Sequence, residues 1–320
     1  MRGAVLLLGV GILCSAVWAQ RVERVSYRGW QDCYRLTNGT VEVIVVPAIA
    51  RVVHYGFVGK PNVLWVNPAT EGKPVKPGEW PNHGGEKAWI WPQDEWELRT
   101  GRGWPPPSAT DQVPYQAEVV RGNVVRLISP LVAGYGVRLV REIWLEPTGT
   151  RVHTRTCVEK LRDGAEFAVS AWTVAQLPAP QMMLARLHPD SSLERGYKLY
   201  SERDFRSVRR AGQILLVERP SDVAVKLGCD ADLLAWFRAP YLVVQRSPFV
   251  AEGLSAYKPE DHAQIFSNSD TLPYIELEFT SPLKVLKKGE QVCLEVVWEL
   301  HRIPSHAQSP ESLVKFLQER

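Results

Sequence analysis

The chain has 320 residues, 45% of them hydrophobic and 23% charged, and 38 Lys and Arg against 35 Asp and Glu leave a net charge of +3. This near-balance removes the electrostatic case for nucleic acid or another polyanion as partner. The composition also excludes coiled-coil, collagen-like and disordered chains, while 12 Trp and 24 Pro beside 3 Met favour sheet and aromatic loop over a helical bundle.

In chain order, the first segment is a leader. Arg2 precedes the apolar run from Ala4 to Leu13, and small residues end at Ala19, the pattern of a secretory signal peptide cleaved after Ala19. No later stretch is apolar enough to cross a bilayer, which takes about 20 residues. The mature chain, residues 20–320, is therefore expected to be secreted or periplasmic. It keeps Cys33, Cys157, Cys229 and Cys293, an even count suited to an oxidising compartment. Three pairings are possible and the sequence does not choose among them, buried free thiols being the alternative. With no C-x-x-C or C-x-x-H spacing, a structural zinc site is not expected.

Strand patterns follow at Val41–Val46, Arg51–Val58, Tyr115–Val120, Val124–Ser129, Gly136–Glu146, Arg151–Lys160, Glu166–Val174, Gln213–Glu218, Val223–Gly228, Tyr274–Phe279 and Glu290–Leu300. The last is the clearest, with Val292, Leu294, Val296, Trp298 and Leu300 alternating along one face. Turn dipeptides such as Asn38-Gly39, Gly122-Asn123 and Asp163-Gly164 separate antiparallel neighbours. Many strands without intervening helical periods predict one large antiparallel β-sandwich domain over 20–320. A single helix is predicted at the C-terminus, capped by Ser309 with Pro310 in its first turn and Leu313, Phe316 and Leu317 as its apolar stripe. Two stretches read as loops at the rim of a site: Ala69–Pro114, which gathers Trp80, Trp89, Trp91, Trp96 and Trp104, and the polar Leu177–Arg210.

Generic catalytic signatures are absent. There is no P-loop, no G-x-S-x-G, no H-E-x-x-H and no complete G-x-G-x-x-G. His83 and Glu86, three apart with Asp94 and Glu95 nearby, read as a solvated loop, so neither a metal nor a cofactor is expected. The segment Asn82-His83-Gly84-Gly85-Glu86-Lys87-Ala88-Trp89-Ile90-Trp91-Pro92-Gln93 remains. Paired glycines permit close backbone approach, Trp89 and Trp91 share a face if the segment is extended, and His83, Glu86, Lys87 and Gln93 supply hydrogen bonds. Flat aromatic faces beside directional polar groups suit a sugar ring.

The Gly-Gly followed by Trp-x-Trp-Pro-Gln resembles the signature of a family of secreted bacterial proteins of unknown function that is similar to the aldose epimerase, or galactose mutarotase-like, superfamily. Tyr274-Ile275-Glu276-Leu277-Glu278, Ser281-Pro282-Leu283 and Leu286-Lys287-Lys288-Gly289-Glu290 resemble the glutamate strand and following turn of those sandwiches. Ala171–Leu177 resembles the strand on which they carry a catalytic histidine. The resemblance implies a sugar ligand, a glutamate general base at Glu276 or Glu278, and a histidine general acid. Trp172, Thr173 and Gln176 occupy the histidine's strand, which leaves His83 as the substitute and makes sugar binding the safer expectation than epimerase activity. The expected cleft joins Trp89, Trp91 and Trp172 as stacking faces to Glu86, Lys87, Gln93, Gln176, Lys226 and Glu276 as polar contacts. An active epimerase or other sugar-transforming enzyme is the first alternative, and an envelope scaffold presenting its aromatic loop to a protein is the second.

Overall fold

A computed structural model describes residues 20–320 except 77, 165, 192, 251–252, 254–255 and 258–261, so the expected signal peptide lies outside the described residues. The strands in chain order are β1 (Arg21–Tyr27), β2 (Trp30–Thr37), β3 (Val41–Val46), β4 (Arg51–Phe57), β5 (Glu86–Trp91), β6 (Gln116–Val120), β7 (Val124–Ile128), β8 (Val137–Leu145), β9 (Val152–Lys160), β10 (Ala168–Pro178) and β11 (Met182–Leu187). They continue with β12 (Lys198–Leu199), β13 (Ser207–Ala211), β14 (Ile214–Glu218), β15 (Val225–Cys229), β16 (Ala231–Arg238), β17 (Tyr241–Arg246), β18 (Ala263–Ser267), β19 (Tyr274–Thr280), β20 (Lys284–Val285) and β21 (Gln291–Arg302). Two short helices, α1 (Trp96–Thr100) and α2 (Ser108–Asp111), interrupt the tryptophan-rich region, and α3 (Pro310–Gln318) ends the chain.

These strands form two antiparallel sheets packed face to face. The first has 11 strands in the order β1-β2-β3-β4-β5-β10-β19-β18-β15-β12, with β20 paired to β10; the second has 10 in the order β13-β14-β11-β16-β17-β21-β9-β8-β7-β6. One apolar core, including Leu36, Val43, Ile90, Leu139, Val158, Leu277, Val296 and Leu300, joins the facing sides. This is the antiparallel β-sandwich that the alternation predicts, and α3 is capped by Ser309, whose Oγ accepts from Ser312 N at 3.2 Å.

The stretch 177–210 is not a loop rim. It holds the end of β10, all of β11 and β12 and most of β13, and β11 lies within the second sheet. Alternation fails along β11, β16 and β17 because both of their faces are covered: Met182, Leu184, Leu233, Phe237 and Leu242 pack under Leu313, Val314 and Leu317 of α3.

Register decides the cysteines. Cys157 on β9 lies directly opposite Cys293 on β21, and the two form a disulfide, while Cys33 and Cys229 are buried free thiols. Peptide mapping without reduction is expected to recover a single 157–293 cross-link, with Cys33 and Cys229 alkylated only after denaturation. A cross-link involving either buried thiol would contradict this pairing.

Candidate functional site

The site is built on the middle of the first sheet. In the β5–β10 ladder Trp89 faces Trp172 and Lys87 faces Val174; in the β10–β19 ladder Gln176 faces Glu276 and Val174 faces Glu278. Gln264 and Phe266 of β18 follow opposite Glu278 and Glu276, and Lys226 of β15 lies opposite Phe266. Because directly paired residues share a face and side chains alternate, Lys87, Trp89, Trp91, Trp172, Gln176, Lys226, Glu276 and Glu278 all stand on one side of the sheet. That side faces away from the second sheet.

Two lysine–glutamate pairs organise this face. Glu276 accepts from Gln176 Nε2 at 2.8 Å and from Lys87 Nζ at 3.3 Å; Glu278 accepts from Trp172 Nε1 and from Lys226 Nζ, both at 2.9 Å. Lys87 and Glu278 are fully buried, whereas the Glu276 side chain keeps 13% of its surface and that of Lys226 22%. Burial pushes the Glu278 carboxyl above the usual carboxylate range, against the pull of Lys226 and with a further push from Glu276. Burial likewise lowers the Lys87 ammonium, against the pull of Glu276. Glu278 Oε1 and Gln176 Oε1 are buried acceptors without a donor among the described residues.

The tryptophans make a cluster rather than an open platform. Trp89 and Trp91 each meet Trp172 edge-on at 5.0 Å, and Trp96 of α1 closes on Trp89 at 5.8 Å. Trp89 is 3% exposed and Trp172 1%, so their faces are taken by one another and by the ammonium groups of Lys87 and Lys226, 4.6 Å and 5.1 Å from the ring centroids. The aromatic surface left open belongs to Trp104, one of the five tryptophans of the predicted rim, 50% exposed and set edge-on to Trp80 and Trp89, and to Trp65, outside that stretch and stacked on Tyr274 at 4.6 Å. Trp65 carries no local signal, since it lies outside the regular strands and reaches the site through loop packing.

Three expected contacts lie elsewhere. Glu86 alternates with Lys87 and so points between the sheets, where both carboxylate oxygens accept from Arg141 of β8. Gln93 has left the strand and opens the 3-10 turn Gln93–Glu95. His83 is fully buried beside Trp30, its ring driven to a pKa of about 4 by burial and by the charge of Arg51. Among the described residues, none of the 7 histidines hydrogen-bonds to Glu276 or Glu278. Gly84 and Gly85 serve the protein's own backbone: both have positive φ, and a Cβ there would lie 2.3 Å from Trp65 O and 2.4 Å from Val52 O. Arg51 fixes the same turn by donating to Gly84 O at 2.9 Å and to Asp111 Oδ1 at 2.6 Å, while Trp80 Nε1 donates to Asp111 Oδ2 at 2.7 Å. Among the described residues no three His, Cys, Asp or Glu side chains converge on a possible metal position, and no helix is long and apolar enough to cross a membrane.

This two-sheet architecture is the galactose mutarotase-like fold. The chain superposes on a galactose mutarotase-like protein of Lactobacillus casei with a TM-score of 0.56 at 11% identity, covering 84% of this chain and 100% of the other. An Escherichia coli K12 protein described as a candidate aldose 1-epimerase gives 0.54 at 14% identity over 85% and 99%. A galactose mutarotase-like protein of Clostridium acetobutylicum gives 0.53 at 10% identity over 89% and 99%. No family model matches the chain, and neither does any curated protein sequence.

Proposed function

We propose that the protein binds a carbohydrate on the Lys87–Gln176–Lys226–Glu276–Glu278 face, acting outside the cytoplasm as a single domain spanning 20–320. The observation that carries the reading is the accessible Glu276 carboxylate beside two buried acceptors that lack donors among the described residues, Gln176 Oε1 and Glu278 Oε1, with an ammonium on either side. A polyol supplies the missing donors through its hydroxyl hydrogens and accepts from the lysines through its oxygens. Trp65, Tyr274 and Trp104 offer the apolar contact that the buried tryptophans do not. The extracellular part of the reading is supported by the leader sequence and by the Cys157–Cys293 disulfide.

Glu276→Gln retains an acceptor for Lys87 and Gln176 but removes the charge. It is expected to weaken sugar binding by about ten-fold or more, the size of one hydrogen bond to a charged group. Glycan-array screening followed by calorimetry on the full mature chain measures this, with circular dichroism confirming the fold. Wild-type protein that binds no glycan, or a variant of unchanged affinity, would overturn the proposal.

The second reading, catalysis of anomer exchange, is favoured by one observation. Glu278 is raised and Lys87 lowered on the same face, so two groups are shifted toward proton transfer without a histidine. Exchange NMR on any sugar that binds decides it, because a rate equal to that in buffer leaves binding alone.

A further inference from the structure

A separate cleft lies away from Glu276 and Glu278, neither of which lines it. It is an open cleft of about 620 Å³ bordered by α1, α2 and the 131–134 segment that links β7 to β8. Close packing of its wall depends on Gly134, where a Cβ would stand 1.7 Å from Arg99 O.

The polar groups of this cavity are unbalanced in one direction. Arg99 and Arg102 line it, and none of the described lining residues is acidic. Arg102 has no carboxylate partner among the described residues; its guanidinium makes only two contacts, both 3.4 Å, to Pro106 O and Gln112 Oε1. Arg99 reaches Glu95 Oε2 at 3.2 Å through one terminal nitrogen, an oxygen behind the cleft wall that forms no hydrogen bond, while among the described residues Arg99 Nε and Gln112 Nε2 are buried without an acceptor. A third cation, Lys160, stands near Arg99, since both lie 4.3 Å from the Phe167 ring centroid. The buried unsatisfied groups of the lining residues, Arg99 Nε and Gln112 Nε2, are thus both donors, and buried donors left unpaired are costly. What is missing is an acceptor, and beside two guanidiniums the matching acceptor is an oxyanion. The volume falls in the range of small-molecule sites, which run from about 300 to 1,000 Å³, so the oxyanion is best carried on a larger polar body than a lone inorganic ion. Thr100 and Ser108 add hydroxyls to the lining that suit such a body.

We propose that the cavity bounded by Arg99, Arg102 and Gln112 is a second ligand site, which binds a small organic oxyanion of sugar-acid size through a carboxylate or a sulfate. Arg102 makes the principal charged contact, and Arg99 and Gln112 direct the remaining donors. The assignment is independent of the glutamate face.

Calorimetric titration of the full mature chain with glucuronate, with glucose 6-sulfate and with glucose tests it. At least one of the two anions is expected to bind saturably while glucose leaves this site empty, and which anion binds identifies the source of the oxyanion. Arg102→Ala should weaken that binding by about ten-fold or more and Arg102→Lys by less, because lysine keeps the charge and loses the fork. Added salt should weaken it as well. Glu276→Gln should leave it unchanged, which separates this site from the sugar face. Failure of both anions to bind, an Arg102→Ala variant of unchanged affinity and folded far-UV spectrum, or loss of anion binding in Glu276→Gln would each overturn the proposal.

Discussion

Arg141→Ala should destabilise the protein by about 3–5 kcal/mol, the usual cost of removing one partner from a buried ion pair. Arg141 and Glu86 are both essentially inaccessible, and their contact ties β8 of the second sheet to β5 of the first. The guanidinium also donates to Ala50 O at 3.2 Å and Thr156 Oγ1 at 3.4 Å, so it holds three elements together. Without it the Glu86 carboxylate is left in the core. Burial already raises the Glu86 carboxyl, with Arg141 the largest opposing influence, so the variant's Glu86 rises further above its unfolded value. A group whose folded pKa is raised binds its proton more tightly in the folded state. Stability is therefore fully present below the unfolded pKa and lost as pH rises through the folded one. The deficit of Arg141→Ala should accordingly be largest at neutral pH and shrink as pH approaches the unfolded carboxylate value of about 4.3. Urea denaturation at pH 7 and pH 5 measures both features. The paired change Glu86→Leu with Arg141→Met removes both charges together and should recover most of the loss. It should also keep sugar binding intact, because Glu86 faces away from that surface. A variant Arg141→Ala as stable as the parent would mean that the pair contributes nothing to the join between sheets.

Which residues face the site depends on information of different range. The strand 274–280 and its two glutamates are legible because Tyr274, Glu276 and Glu278 alternate with Ile275, Leu277 and Phe279, and the alternation assigns them to one face. The segment Glu86–Trp91 has no such contrast: all six residues are buried, so its pattern does not say which side turns inward. Adjacent Glu86 and Lys87 therefore look like a polar pair on one surface, whereas the pleat sends one to Arg141 and the other to Glu276. His83 stands just before this strand and is sealed in a satellite cluster against Trp30, a placement fixed by the 65–67 segment and β4 rather than by its neighbours in sequence. The Cys157–Cys293 pairing is non-local in the same sense, since it follows only once β21 is known to lie beside β9. The burial of both faces of β11, β16 and β17, one of them under α3, hides their alternation for a related reason, because the helix that covers them is written more than sixty residues later.

Trp172→Ala should cost about 3–5 kcal/mol, as truncation of a fully buried large aromatic does. Its ring is the common neighbour of Trp89 and Trp91 at 5.0 Å and of Trp96 at 6.1 Å, and aromatic contacts of this kind contribute beyond the area they bury. The same substitution removes the indole N–H from Glu278, leaving Lys226 as that carboxyl's one donor among the described side chains. Trp172→Phe separates the two effects. Most of the packing survives while the hydrogen bond is lost, so its cost should fall to about 1.5–3 kcal/mol, the range for a bond to a charged group. Denaturant titrations of both variants give the comparison. Trp89→Ala belongs with Trp172→Ala, since a ring enclosed by Trp96, Trp104, Trp172 and Lys87 cannot be removed without disturbing the fold. Trp104→Ala does not, because half of that ring is already in water. If the face binds sugar through aromatic stacking, Trp104→Ala should lose affinity at nearly unchanged stability, whereas Trp172→Ala should lose stability first. A Trp172→Ala protein that unfolds at the parent's denaturant midpoint would show that the tryptophan cluster is not a packed core, and would restore Trp89 and Trp172 as candidate sugar platforms.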